Sequence, residues 1–274
     1  MSEFCPGQPP PNTPPGIDLW LLPIDTVAPL DLEPLRDCLS SSEQAHLEQM
    51  RLPQAQRRFL LSRGCLRHLL SRYTEASPGG LRFVYGPRGK PALTPIKPGG
   101  TVPQFNLSHS GHRLLIAVSL ADCVTAVGVD VEALRSVSHL PALCRRYLTP
   151  TEAKTVLALA PPLADHRFLR YWTGKEACLK ALGLGIVDDA MHTLELSLGD
   201  QVSPVPTPLP LTVHPLTARQ RLEHPGQVYQ WQPEAGYWGA IAVQCSCRDP
   251  LPLRLFTITP AALVAGATPE ANTP

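Results

Sequence analysis

No stretch of the 274 residues approaches the ~18 consecutive apolar side chains that a membrane-spanning helix needs, so no membrane partner is expected. An excess of one charge sign is missing as well. Lys and Arg number 24 against 23 Asp and Glu, a net charge of +1, which argues against a protein that grips nucleic acid by charge alone. The N-terminus, MSEFCPGQPP, lacks a basic segment followed by an apolar one, so no export signal is expected and the cytoplasm is the expected compartment. The eight cysteines form no C-x-x-C repeat, no histidine stands at zinc-finger spacing, and only Cys245 and Cys247 lie close together. Reduced, mostly buried thiols are therefore expected rather than a disulfide framework.

Proline is what the chain has in quantity, 32 residues, largely outside the stretches that carry chemistry. CPGQPPPNTPP over residues 5–15 can bury almost nothing and reads as a flexible, partly extended arm. Ser203–Pro215 reads as a long loop or an edge strand, because proline cannot serve in a central one. The end from Thr259 onward is small and polar without a strong period, and reads as a flexible tail.

Between these stretches a run of elements occurs twice. Ile17–Ile24 suits a strand, Glu43–Met50 and Gln54–Arg72 helices, and Leu81–Tyr85, Leu114–Ser119 and Val124–Val131 strands. Thr151–Leu159 and Leu163–Leu182 then suit helices, followed by strands at Thr193–Leu198, Gln227–Gln232, Tyr237–Val243 and Leu253–Thr257. The order implies an α+β fold of two similar halves, with helices packed on mainly antiparallel sheets. The expected divisions are an arm at 1–16, halves at 17–124 and 125–250, and a last strand and tail at 251–274. Sequence identity between the halves is not evident, so the repeat is one of topology.

The organising stretch is Phe168–Gly185, FLRYWTGKEACLKALGLG. Phe168, Leu169, Trp172 and Leu179 fall near one helical face, and Glu176 and Lys180 share a face one turn apart. A carboxylate beside an ammonium can bind a hard cation and hold a phosphate, or be a plain surface ion pair. Gly183 and Gly185 end the helix. Gly174 inside it costs about 1 kcal/mol against alanine, which points to a close neighbour such as a backbone or a ligand.

Three further stretches bear polar side chains in suggestive places. Asp130 and Glu132 in VGVDVE lie on one side of a strand, where like charges are costly unless a cation or basic group lies between them. With Glu176 they make three oxygen ligands for Mg²⁺. In FNLSHS, Ser108 and His109 point to opposite faces of a strand and cannot easily pair as nucleophile and base, and no G-x-S-x-G elbow surrounds them. Hydrogen bonding to phosphate or hydroxyl, or a structural turn, remains. Lys90 sits on a tight loop, YGPRGKP, that suits a phosphate ligand or a hairpin turn alike. The arginine stripe from Arg51 to Arg72 reads as a solvated helix face in preference to a nucleic-acid surface, and one or two of its members could clamp a phosphate.

Asn106–Ser110 (NLSHS), Gly128–Glu132 (GVDVE) and Trp172–Gly185 (WTGKEACLKALGLG), in that order, resemble the three signatures of the 4′-phosphopantetheinyl transferases, and more closely the surfactin-type, pseudodimeric branch. The resemblance extends over roughly Ile17–Val243. It implies transfer of the phosphopantetheine arm of coenzyme A to a serine of an apo acyl or peptidyl carrier protein, with release of adenosine 3′,5′-bisphosphate. Asp130, Glu132 and Glu176 would hold Mg²⁺, with Glu176, Lys180 and Asp130 as the catalytic groups. Coenzyme A, as co-substrate, would meet Lys90, Asn106, Ser108, His109 and Lys180, with its 3′-phosphate on Arg58 and Arg63. A pseudo-twofold pair of halves in a monomer is implied too, with the boundary near Asp122–Val127. Two other classes compete: a non-catalytic module that binds carrier proteins, and a Mg²⁺-dependent phosphodiester hydrolase.

Overall fold

A computed structural model describes residues 15–24, 32–97, 99–185, 188–214, 226–247, 251–267 and 270–271. Residues 1–14 of the proline-rich arm lie outside the described residues, as does Pro215. In chain order the elements are β1 (Ile17–Pro23), α1 (Glu33–Asp37), α2 (Ser41–Gln49), α3 (Pro53–Ser71), β2 (Phe83–Tyr85), β3 (Pro91–Leu93), β4 (Gln104–Ser110), β5 (Arg113–Ser119) and β6 (Val124–Ala133). They continue with α4 (Leu140–Tyr147), α5 (Pro150–Leu157), α6 (Leu163–Leu182), α7 (Asp188–Met191), β7 (Leu194–Leu196), β8 (Thr207–Pro208) and β9 (Leu211–Val213). The chain closes with β10 (Gln227–Trp231), β11 (Tyr237–Cys245), β12 (Leu253–Thr257), α8 (Pro260–Val264) and β13 (Glu270–Ala271).

Two larger sheets carry the fold, in the orders β13-β12-β1-β5-β4 and β6-β11-β10-β8. Alternation along β1 shows how they stack. Trp20 and Leu22 enter a core beneath α3, with Leu61, Leu66 and Leu70, while Ile17, Leu19 and Leu21 enter a second core with Val129, Ile241 and Trp231 of the other sheet. A third core lies between β10, β11 and α6, around Phe168, Cys178 and Ala240. The result is helices, sheet, sheet, helices, the α+β architecture expected from the element order. The proline-rich segment behaves as proline requires: Pro208 sits in β8, at the edge of its sheet.

Each long helix is tied to the short helix before it by the same device. Ser40 and Glu43 form a capping box on α2, and Thr149 and Glu152 form one on α5. Each capping glutamate then takes a buried cation from the long helix. Arg67 of α3 reaches Glu43 at 2.7 Å, and the wholly buried Lys175 of α6 is paired with Glu152. Leu39, Glu43, Arg58, Phe59, Leu60 and Leu70 recur as Leu148, Glu152, Arg167, Phe168, Leu169 and Leu179 at one constant offset. The stretches that form α2–α3 and α5–α6 therefore share local identity.

Three expectations change. Cys123 and Cys247 are joined in a disulfide, tying the start of β6 to the chain beyond β11, whereas Cys38, Cys65, Cys144 and Cys178 are free and buried as expected. The segment after Thr259 is not simply a tail. Thr259 caps α8 with its side chain, Leu263 is buried, and Arg72 donates to the carbonyls of Leu263 and Ala267. Gly174 does have a close neighbour, the methyl group of Leu196, but it is neither backbone nor ligand.

Candidate functional site

Strands β4 and β6 are the facing edges of the two large sheets, and side chains close the seam between them. Asn106 Oδ1 accepts the Val129 N–H at 2.9 Å, Ser108 Oγ donates to Asp130 Oδ1 at 2.7 Å, and Ser110 Oγ donates to Glu132 Oε2 at 2.7 Å. The period of two in a strand puts Asn106, Ser108 and Ser110 on one side, and His109 on the other. Helix α6 packs directly on β6 because Gly128 has no side chain. A Cβ there would lie 2.2 Å from both the Ala177 carbonyl oxygen and the Ala181 amide nitrogen. That close approach brings Glu176 and Lys180 over Asp130.

Lys180 is the hub. Its Nζ is 2.7 Å from Asp130 Oδ1, 3.1 Å from Ser108 Oγ and 3.7 Å from Glu176 Oε2. Its i, i+4 partner on the helix is thus the looser of the two carboxylates. Burial pulls the ammonium down, but Asp130 and then Glu176 more than offset this and hold it above its ordinary value. Burial raises Asp130, opposed by Lys180. Burial also pushes Glu176 up to about 7, with the Asp130 charge adding to the rise. Glu132 is held from the rim, where Arg135 reaches its Oε2 at 2.6 Å.

A cleft of about 660 Å³ opens onto this cluster from α3. Arg58 and Arg63 stand on its α3 wall, His109 on its β4 wall and Trp172 on its α6 wall. His109 is lowered from its ordinary value by desolvation first and by Arg58 and Lys180 after it, the mark of a locally cationic surface. Of the residues expected at the site, Arg58, Arg63, Ser108, His109, Asp130, Glu132, Glu176 and Lys180 all line this one cleft.

Two do not join them. Lys90 Nζ donates to the carbonyls of Val127 and Ala181, clamping the β2–β3 hairpin to the end of α6, and burial lowers it to about 8. Asn106 is buried and spends its carbonyl on the β6 backbone. Both were expected to meet coenzyme A, and in this structure their side chains bond to the backbone of the frame beside the cleft. Sequence reasoning noted Ser110 within NLSHS without giving it a role of its own, and passed over Arg135 and Lys175. The signal for Ser110 was available, since it follows Ser108 by two along a strand.

The carboxylates fit a hard divalent cation in donor type and in unmet need. Asp130 Oδ2 and Glu176 Oε1 are buried and accept no hydrogen bond. They are not drawn into a finished cluster, however: among the described residues no group of three His, Cys, Asp or Glu side chains stands ready to hold a metal ion. The ammonium of Lys180 lies on the carboxylates instead.

A profile for the 4′-phosphopantetheinyl transferase superfamily matches residues 126–224, which span β6 and α6. The chain is 37% identical over 183 residues to the 4′-phosphopantetheinyl transferase HetI of a Nostoc species, an alignment covering 66% of this chain and 74% of that protein. The chain belongs to the 4′-phosphopantetheinyl transferase superfamily. Other relatives include the 4′-phosphopantetheinyl transferase AcpT of Salmonella typhi, 34% identical over 57% of this chain and 81% of that protein. Another is the 4′-phosphopantetheinyl transferase psf-1 of Bacillus pumilus, 29% identical over 61% and 68%. The family match covers the β6 and α6 sides of the cleft, whereas its α3 and β4 walls precede the matched residues.

Proposed function

We propose that this transferase moves the 4′-phosphopantetheine group of coenzyme A to a serine hydroxyl of an apo acyl or peptidyl carrier protein, with Mg²⁺ as its metal. The observation that carries the reading is one cleft with two opposite chemistries: buried carboxylates at its floor and the cations Arg58, Arg63 and Lys180 above them, with the His109 ring beside them. Such a pairing suits a pyrophosphate bound together with a divalent cation. Asp130, Glu132 and Glu176 would hold that cation. When bound, it would supply charge stabilisation to the pyrophosphate oxygens and lower the repulsion toward an incoming oxygen.

Arg58 and Arg63 serve as planar donors for the 3′-phosphate, and His109 donates to phosphate oxygens at the same wall. Lys180 neutralises the pyrophosphate once it turns from Asp130 toward the ligand. The carrier serine oxygen forms the new bond to the phosphorus that bears the pantetheine arm, and the bond from that phosphorus to the bridging oxygen breaks. Adenosine 3′,5′-bisphosphate leaves with that oxygen. Glu176, directly or through a water it orients, takes the serine proton.

The test is intact-mass analysis of an apo carrier protein incubated with the enzyme, coenzyme A and Mg²⁺. The expected result is a gain of one phosphopantetheine on the carrier and none on the enzyme. Cleavage of coenzyme A with the carrier unmodified would replace transfer by phosphodiester hydrolysis. Intact coenzyme A beside a bound, unmodified carrier would leave a binding module.

A further inference from the structure

Ser110 has no part in the scheme above, yet its hydroxyl is held from two sides. It accepts the Ala133 N–H at 3.1 Å and donates to Glu132 Oε2 at 2.7 Å. An accepted N–H fixes the hydroxyl rotor, so the proton is directed at the carboxylate. Two residues earlier, Ser108 donates to Asp130 Oδ1 in the same way. Each serine thereby occupies one oxygen of a β6 carboxylate and leaves the other. Asp130 Oδ2 is buried and accepts nothing, and the bonds to Glu132 from Ser110 and Arg135 both fall on its Oε2.

We infer that Ser110, paired with Ser108, is a positioning residue for the divalent cation, a hydroxyl rack on the first sheet that decides which oxygen of each carboxylate on the second sheet faces the ion. The inference rests on the metal role proposed above for Asp130 and Glu132. It departs from a phosphate-donor role for the serines, since both hydroxyl protons are already given to carboxylates. Arg135 also grips Glu132 Oε2, but from a half-exposed side chain that can swing away. A strand hydroxyl held by a backbone N–H cannot. Partners of this kind fix the orientation of metal-binding carboxylates, and their loss typically weakens metal affinity by 10–100-fold.

The experiment uses the full chain with coenzyme A present and reads divalent binding directly, by Mg²⁺ calorimetry and by Mn²⁺ paramagnetic resonance. Ser110→Ala is expected to weaken binding about 10-fold or more. The Mg²⁺ concentration for half-maximal transfer should rise in step, while turnover at saturating Mg²⁺ returns toward that of the unaltered protein. Ser110→Thr, which keeps the hydroxyl, is expected to restore the affinity. A residue that merely seams two strands would move the unfolding midpoint and leave the metal affinity alone. Ser110→Ala binding Mg²⁺ as tightly as the unaltered protein overturns the inference, and so does Ser110→Thr binding no better than Ser110→Ala. Asp130→Ala separates this failure from that of the proposed function. If Asp130→Ala abolishes binding and Ser110→Ala does not weaken it, only the serine role falls. If the unaltered protein shows no saturable divalent binding, the proposed metal role falls and takes the serine role with it.

Discussion

Replacing Lys175 by methionine isolates the energetics that seat helix α6. The ammonium is wholly buried and shares its protons among Glu152, the Tyr147 carbonyl at 3.1 Å and the Met191 carbonyl at 2.9 Å. Even with Glu152 beside it, burial holds Lys175 below its ordinary value. Methionine fills most of the same volume, so little of the loss comes from a cavity. What remains is a carboxylate without its counter-charge, whose other partners among the described residues are the N–H groups of Thr149 and Leu196. Removing one partner of a buried pair costs about 3–5 kcal/mol, and the two orphaned carbonyls push the loss toward the upper end. Urea unfolding of the metal-free protein, followed by far-ultraviolet circular dichroism, should show a loss of about 4 kcal/mol by the same reckoning. Adding Glu152→Gln should recover part of it, because the amide oxygen can still accept the Leu196 N–H while the stranded charge is gone. A Lys175→Met protein within ~1 kcal/mol of the parent, an effect on the scale of an exposed pair, would refute the reasoning.

Three further outcomes follow from the same packing. Gly128→Ala should cost about 3 kcal/mol or prevent folding, because its Cβ meets only α6 backbone, whereas Gly174→Ala should be near neutral because a single leucine methyl must move; thermal melts of the two variants check the contrast. Asp130→Ala should lose transfer with its circular dichroism spectrum unchanged, since Glu176 remains to receive Lys180, and equal turnover at millimolar Mg²⁺ would remove Asp130 from the site. In the metal-free protein, Glu176 sits near 7 against an ordinary 4.5, so the folded state carries an extra proton between those values and stability falls as pH rises through them. Glu176→Gln should flatten that fall in pH-dependent urea midpoints; an unchanged slope would place the titration on another group.

The sequence disclosed the site where side-chain type and spacing were enough. Asp130 and Glu132 at a strand spacing, Glu176 and Lys180 at a helical one, and the order of the three motifs all led to a single cleft. It failed where the answer depended on which neighbour lies across a gap. Strand alternation could show that Ser108 and His109 diverge, but not that Ser108 would meet a carboxylate of the other sheet. The i, i+4 rule paired Lys180 with Glu176, whereas the strand beneath the helix supplied the closer partner. Lys175 was overlooked because Glu152 stands far away in sequence, and the Cys123–Cys247 pair because 124 residues separate its members. Helices α1 and α4 are too short to show a period.

The pairing of β12 with β1 bears on how the molecule is made. Ile17–Leu21 run parallel to Leu253–Thr257, and buried Asp18 receives Arg254 Nε at 2.5 Å and the Tyr73 hydroxyl at 2.6 Å. On a ribosome, Asp18 emerges 236 residues before its arginine. Until then β1 lacks a neighbour on one side and a carboxylate bound for the interior lacks its cation. Strand β1 therefore completes its pairing only after β12 has been made, and a chain stalled before Leu253 would present an open strand edge to chaperones or to other nascent chains.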